Sequence, residues 1–142
     1  MQSEEEGLRG QIALGWVMAA VVLAITLGFM IIESSLLDNN FLALRLDPGP
    51  SVKWLVLVFA LQPLMGIYVH LVHGMRPRIF RWVAFGVAAV DFLFFLLHHL
   101  SHWVQGQRPD ASSHVLDITL EIVLFWVVVN SLKWARFPRH ES

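Results

Sequence analysis

Apolar residues along this chain fall into four long runs rather than the alternating or helical-stripe patterns of a water-soluble fold. Ile12 to Ile32 carries no charged residue and is long enough, as a helix, to cross the roughly 30 Å hydrocarbon core of a bilayer. Three further runs follow, at Trp54–Val72, Phe80–Leu100 and Val115–Leu132. The pattern predicts an all-α, integral-membrane four-helix bundle with spans at about 12–32, 54–72, 80–100 and 115–132. These spans fill most of residues 1–142, which are read as one transmembrane domain.

The polar segments between the runs set the connections. Between the first two, Ser34 to Lys53 contains Asp38-Asn39-Asn40 and Asp47-Pro48-Gly49-Pro50 around Leu36, Leu37, Phe41, Leu42 and Leu44. That composition predicts a short interfacial helix closed by a turn. His73 to Arg78 is a tight basic turn, and Trp103 to Ser113, with Gly106 and Pro109, is short enough to fold spans three and four into an antiparallel hairpin. No internal repeat or inverted copy is evident.

Composition agrees with a bilayer setting: 56% of the residues are hydrophobic and the mean hydropathy is +0.61. The first run is too long, and its flank of Glu4, Glu5 and Glu6 too acidic, for a cleaved signal peptide, so it is read as a retained helix. Placing both termini in the cytoplasm puts Arg9, Arg76, Arg78, Arg81, Lys133, Arg136 and Arg139 inside and leaves Arg45, Lys53 and Arg108 outside. This bias follows the positive-inside rule and predicts a multi-pass protein of the cell membrane, read as a bacterial inner membrane. Trp54, Trp82, Trp103 and Trp134 lie near span ends, where indoles sit at headgroup level, and the Glu4-Glu5-Glu6 run and the basic tail are read as solvated.

Cysteine is absent, which excludes disulfides, thiolate metal sites, iron–sulfur ligation and covalently attached c-type haem. A formal net charge of −1 and the lack of a glycine-rich phosphate loop argue against nucleic acid or nucleotide as a partner.

The chemistry concentrates in spans three and four. At about 100° per residue, His98 and His102 return to within roughly 20° of the direction of Asp91. On the fourth span His114, Asp117 and Glu121 are spaced i, i+3, i+7 and form one stripe. Folding the hairpin aligns the two stripes into a ladder of imidazoles and carboxylates descending from the outer face. Ionisable groups inside a membrane are costly to keep there and mark functional sites. Glu33 and Gln62 are second-tier candidates at the same end. His99 reads as a polar cap at the water interface, and His70 with His73 as a snorkelling pair at the other end. Gln62-Pro63 predicts a kink whose freed backbone group the glutamine satisfies. Gly15, Ala19 and Ala20 on the first span, and Gly86, Ala88 and Ala89 on the third, would allow close helix approach.

Imidazole and carboxylate together suit Zn²⁺, Fe²⁺, Mn²⁺ or Cu²⁺. The leading expectation is a transition-metal site made of Asp91, His98, His102, His114, Asp117 and Glu121, serving metal transport, sensing or an accessory role. The same groups suit a proton or ion relay. Haem b, held by His98 or His102 with His114, is a weaker alternative. A membrane metalloenzyme with Glu121 or Asp91 as general base is chemically feasible, but the small size and missing substrate cleft weigh against an enzyme. A structural subunit whose ladder pairs with another protein's helices is the non-catalytic competitor. Four short helices enclose a pathway most readily as a homo-oligomer or within a larger membrane complex, with the lipid bilayer as the constant partner.

Overall fold

The computed structural model describes residues 2–37, 50–72, 78–104 and 111–138. Four helices account for nearly all of them: α1 (Gln2–Leu37), α2 (Pro50–Leu71), α3 (Ile79–Val104) and α4 (Ala111–Arg136). Among the described residues, three stretches are long and apolar enough to cross a membrane: Glu4–Phe29, Ile79–Val104 and His114–Arg136. The second predicted span lies on α2, which is 22 residues long.

The helices outrun the apolar runs that announce them. Nothing between Met30 and Leu37 breaks a helix, since the segment has neither glycine nor proline, and α1 therefore continues to Leu37. The first connection begins later than Ser34, and the interfacial helix expected there lies outside the described residues. At the other end of that connection Pro50 opens α2, a position where its missing N–H costs nothing. Pro63 stands inside α2, and the helix carries on through it.

Packing follows the order α2, α1, α4, α3: α1 lies between α2 and α4, α4 between α1 and α3, and α2 meets α3 more lightly. Ile12, Trp16, Ala19 and Leu23 of α1 recur at helical spacing and are buried, facing Leu120, Val123, Leu124 and Val127 of α4 and Met65 and Val69 of α2. The opposite faces are equally apolar: Val90 is 69% exposed, Leu97 63% and Ile122 65%. Helices apolar on all sides, with large side chains turned outward, match lipid and not water as the surrounding solvent.

Without a hydrophobic drive between helices in lipid, close packing has to hold the bundle. Gly15 is the tightest point. A Cβ there would run into the Val127 side chain and come within 3.2 Å of the Trp126 ring. Gly86 is the opposite case, since a Cβ there meets nothing within 4 Å; on α3 it is Ala84 and Ala88 that are buried in the core. Gly15→Ala is therefore expected to destabilise the bundle by about 1–3 kcal/mol through overpacking. Gly86→Ala should cause no loss, and unfolding by SDS titration in mixed micelles compares the two.

The end of the bundle that holds the N-terminus is tied by a polar knot. Glu5 Oε1 accepts hydrogen bonds from Arg81 Nη2 at 2.7 Å and from Trp134 Nε1 at 3.1 Å, and the Arg81 guanidinium lies 5.5 Å from the centre of the Trp134 ring. This corrects two expectations: Glu5 is an ion-pair partner rather than a solvated charge, and Trp134 is fully buried rather than set at headgroup level. Tyr68 adds a tie from α2, its hydroxyl donating to the Phe80 carbonyl at 3.1 Å.

Candidate functional site

At the far end of the bundle, where α3 and α4 are joined, lies a chain of three side chains. His99 Nδ1 stands 2.7 Å from Glu121 Oε1, and His99 Nε2 stands 3.0 Å from His114 Nδ1. The His99 and His114 rings are 4.8 Å apart at 73°, and Trp103 lies against His114 with ring centres 5.2 Å apart. His99 is buried, while Glu121 and His114 are half-buried.

Helix geometry explains why His99 holds the centre. The buried residues of α3 are Arg81, Ala84, Ala88, Asp91, Phe95 and His99. Arg81 and His99 are eighteen residues apart, about five turns at 3.6 residues each, so they share one direction on a straight helix. Asp91 and His99, eight residues apart, differ by about 80° and mark opposite margins of the buried arc. Asp91 turns toward α2, where Gln62 Nε2 donates to its Oδ2 at 3.4 Å, and His99 turns toward α4. On α4, His114 and Glu121 are seven residues apart, nearly two turns, which brings both to the same ring.

The single ladder expected of Asp91, His98, His102, His114, Asp117 and Glu121 is thus three separate groups. His114 and Glu121 meet at His99. His98 and His102 form their own pair, Nε2 to Nε2 at 3.2 Å, with His98 exposed and stacked on Phe94 at 6.4 Å between ring centres. Asp117 is half-buried and within electrostatic reach of His98. Asp91 is about 12 Å from His99 along α3 at 1.5 Å per residue, with buried Phe95 between them. Among the described residues, no three His, Asp or Glu side chains are placed to hold one metal ion together. The six residues do not share one shell here: Glu121 and His114 meet His99, and Asp91 faces Gln62 of α2.

Gln62 also departs from expectation. Its amide reaches across to Asp91 instead of bonding to the α2 backbone at Pro63, and its Oε1 is buried without a partner. His70 is exposed; His73 and the Glu33 side chain lie outside the described residues.

The hydrogen-bond chemistry of the triad is reversible. With Glu121 ionised, His99 donates from Nδ1, and its Nε2 either accepts a proton from His114 Nδ1–H or donates one to His114 Nδ1. Both arrangements keep the two bonds and differ only in where one proton rests. A proton entering at His99 Nε2 can leave from Nδ1 to the carboxylate, which then donates back. No family model matches the chain, and neither a curated protein nor a solved structure matches it.

Proposed function

We propose that this small multi-pass membrane protein takes up and passes protons at one end of its bundle through Glu121, His99 and His114, as an ion-coupled carrier or as the proton-handling subunit of a larger membrane complex. The observation that carries the reading is the buried His99 ring, with a carboxylate oxygen on one nitrogen and an imidazole on the other. Chains of Asp, Glu and His inside membrane helices are the recurring parts of proton relays. A polar cap does not need two ring nitrogens engaged on a second helix. With the termini in the cytoplasm, as the Lys and Arg distribution favours, this end faces outward and His114 is the entry. Asp91 with Gln62, deeper in α3 and α2, is the next polar station inward. Transition-metal handling, expected of the six residues together, falls back on the separate His98–His102 pair.

Purified protein in vesicles loaded with a pH-sensitive dye tests this directly under an imposed membrane potential. Proton entry above that of protein-free vesicles is expected, reduced roughly a hundredfold or more in His99→Phe, since a positioned proton-transfer group typically contributes about 10²–10⁴ in rate. Unchanged entry in the variant, or no entry above protein-free vesicles, overturns the reading.

A further inference from the structure

The polar knot at the N-terminal end of the bundle leaves one buried charge unbalanced. Arg9 lies one helical turn deeper than Glu5 on the same side of α1, is only 7% exposed, and has its Nε shut away from solvent without a hydrogen-bond partner. We propose that Arg9 and Ser131 form a binding site for a phosphate group, carried by an anionic lipid headgroup or free in solution.

Three observations lead there. The first is charge. Arg9 and Arg81 are both buried, and Glu5 Oε1 is taken by Arg81 Nη2 and Trp134 Nε1. Among the described residues no carboxylate forms an ion pair with Arg9. A guanidinium withdrawn from water without a counter-ion is costly, and it cannot shed its proton, so relief has to come from an anion.

The second is a donor on the facing helix. Ser131 of α4 is wholly buried and its Oγ has no partner. Two contacts set the register of antiparallel α1 and α4: Glu5 meets Trp134, and Gly15 packs on Val127. At 1.5 Å per residue Arg9 stands about 6 Å from the level of Glu5 and Ser131 about 4.5 Å from that of Trp134, so both occupy the layer between the two contacts. Ser131 also falls on the stripe of Val127 and Trp134, four residues after one and three before the other. A direct bond between the two side chains would occupy the hydroxyl and leave the charge uncompensated.

The third is access. Arg9 keeps a sliver of exposure and Ser131 none, so a ligand approaches over the guanidinium and meets the hydroxyl behind it. Exposed Arg78, Lys133 and Arg136 belong to the same end of the bundle and draw anions toward it. With the termini in the cytoplasm, this end lies at the inner leaflet, where basic pockets between helices recognise anionic headgroups. A phosphate diester brings one negative charge and two oxygens that match the side-by-side N–H groups of a guanidinium, with lone pairs left for the Ser131 hydroxyl.

The full chain, delipidated in neutral detergent, is titrated with short-chain phosphatidylglycerol and separately with inorganic phosphate. Native mass spectrometry counts the bound molecules, and thermal unfolding reads the gain in stability. The expected result is one tightly held phosphatidylglycerol per chain, bound roughly tenfold or more weaker in Arg9→Gln and a few-fold weaker in Ser131→Ala. Arg136→Gln, which removes an exposed charge at the same end, should bind as wild type does. Arg9→Gln takes away a buried charge rather than adding one, so it is expected to fold, with circular dichroism as the check, and without lipid to unfold no earlier than wild type. Inorganic phosphate bound with the same dependence on Arg9 upholds the site and assigns it to the free anion. Phosphatidylglycerol bound equally by wild type and Arg9→Gln overturns the proposal. So does an equal loss in Arg136→Gln, the mark of diffuse attraction to a basic surface, or earlier unfolding of lipid-free Arg9→Gln, which would show that the bundle itself balances Arg9. Proton entry is read in a separate assay, so failure of the relay and failure of this site are distinguishable.

Discussion

Glu5→Ala is expected to destabilise the bundle by about 2 kcal/mol, below the 3–5 kcal/mol typical of breaking a fully buried ion pair because the site keeps some solvent access. The carboxylate serves two donors at once, Arg81 Nη2 and Trp134 Nε1, and the Arg81 side chain is only 10% exposed. Its loss leaves a largely buried guanidinium facing an indole N–H that has lost its acceptor. Arg81 retains its 3.5 Å bond to the Trp134 carbonyl and its position over the Trp134 ring, which limits the damage. Glu5→Leu combined with Arg81→Met should lose less than the two single changes added together, since neither partner is then left alone with a buried charge. SDS titration of the four proteins measures the coupling, and strict additivity would show that the ion pair does not hold these three helices.

The knot also shows where the sequence stops being legible. Glu5 reads as one of three acidic residues in a solvated run, because the residue it serves is 76 positions away on α3 and only tertiary packing joins them. Hydrophobic run length located the helices because lipid requires it, but it marks the stretch that must avoid water rather than the stretch that is helical. Hence α1 starts at Gln2 and ends at Leu37, well beyond Ile12 and Ile32. The candidate site was half visible. His114 and Glu121 are correctly one stripe, since seven residues nearly complete two turns. On α3 the face was taken from Asp91, which looks toward Gln62 of α2, and this phase selected His98 over His99. The five-turn spacing from Arg81 through Ala84 and Ala88 to His99 was present in the sequence, and only the knowledge that Arg81 is buried turns it into a signal. Which neighbour each margin of a helix meets is a property of the bundle and is not written in any one helix.

Glu121 separates a relay from a structural clasp, because its two conservative replacements have opposite consequences under the two views. Glu121→Gln keeps a carbonyl oxygen able to accept from His99 Nδ1–H, and its volume is nearly that of glutamate. The fold is then expected to survive with a loss of about 1 kcal/mol, the difference between a hydrogen bond to a charged acceptor and one to a neutral acceptor. The amide cannot take up the proton that leaves Nδ1, so proton entry into vesicles should fall roughly a hundredfold, at the low end of what removal of an acid–base group costs. Glu121→Asp keeps the proton-accepting chemistry but shortens the reach by one methylene, about 1.5 Å, against a contact of 2.7 Å. It should retain partial proton entry with a larger loss of stability than the glutamine variant, since the His99 ring would be left with a stretched bond in a buried setting. The order of the variants thus inverts between the two measurements: glutamine is the better replacement for stability and aspartate for transport. If Glu121→Gln carries protons as fast as wild type while Glu121→Asp is impaired in both assays, the carboxylate only positions His99, and the chain of three residues is a clasp between α3 and α4.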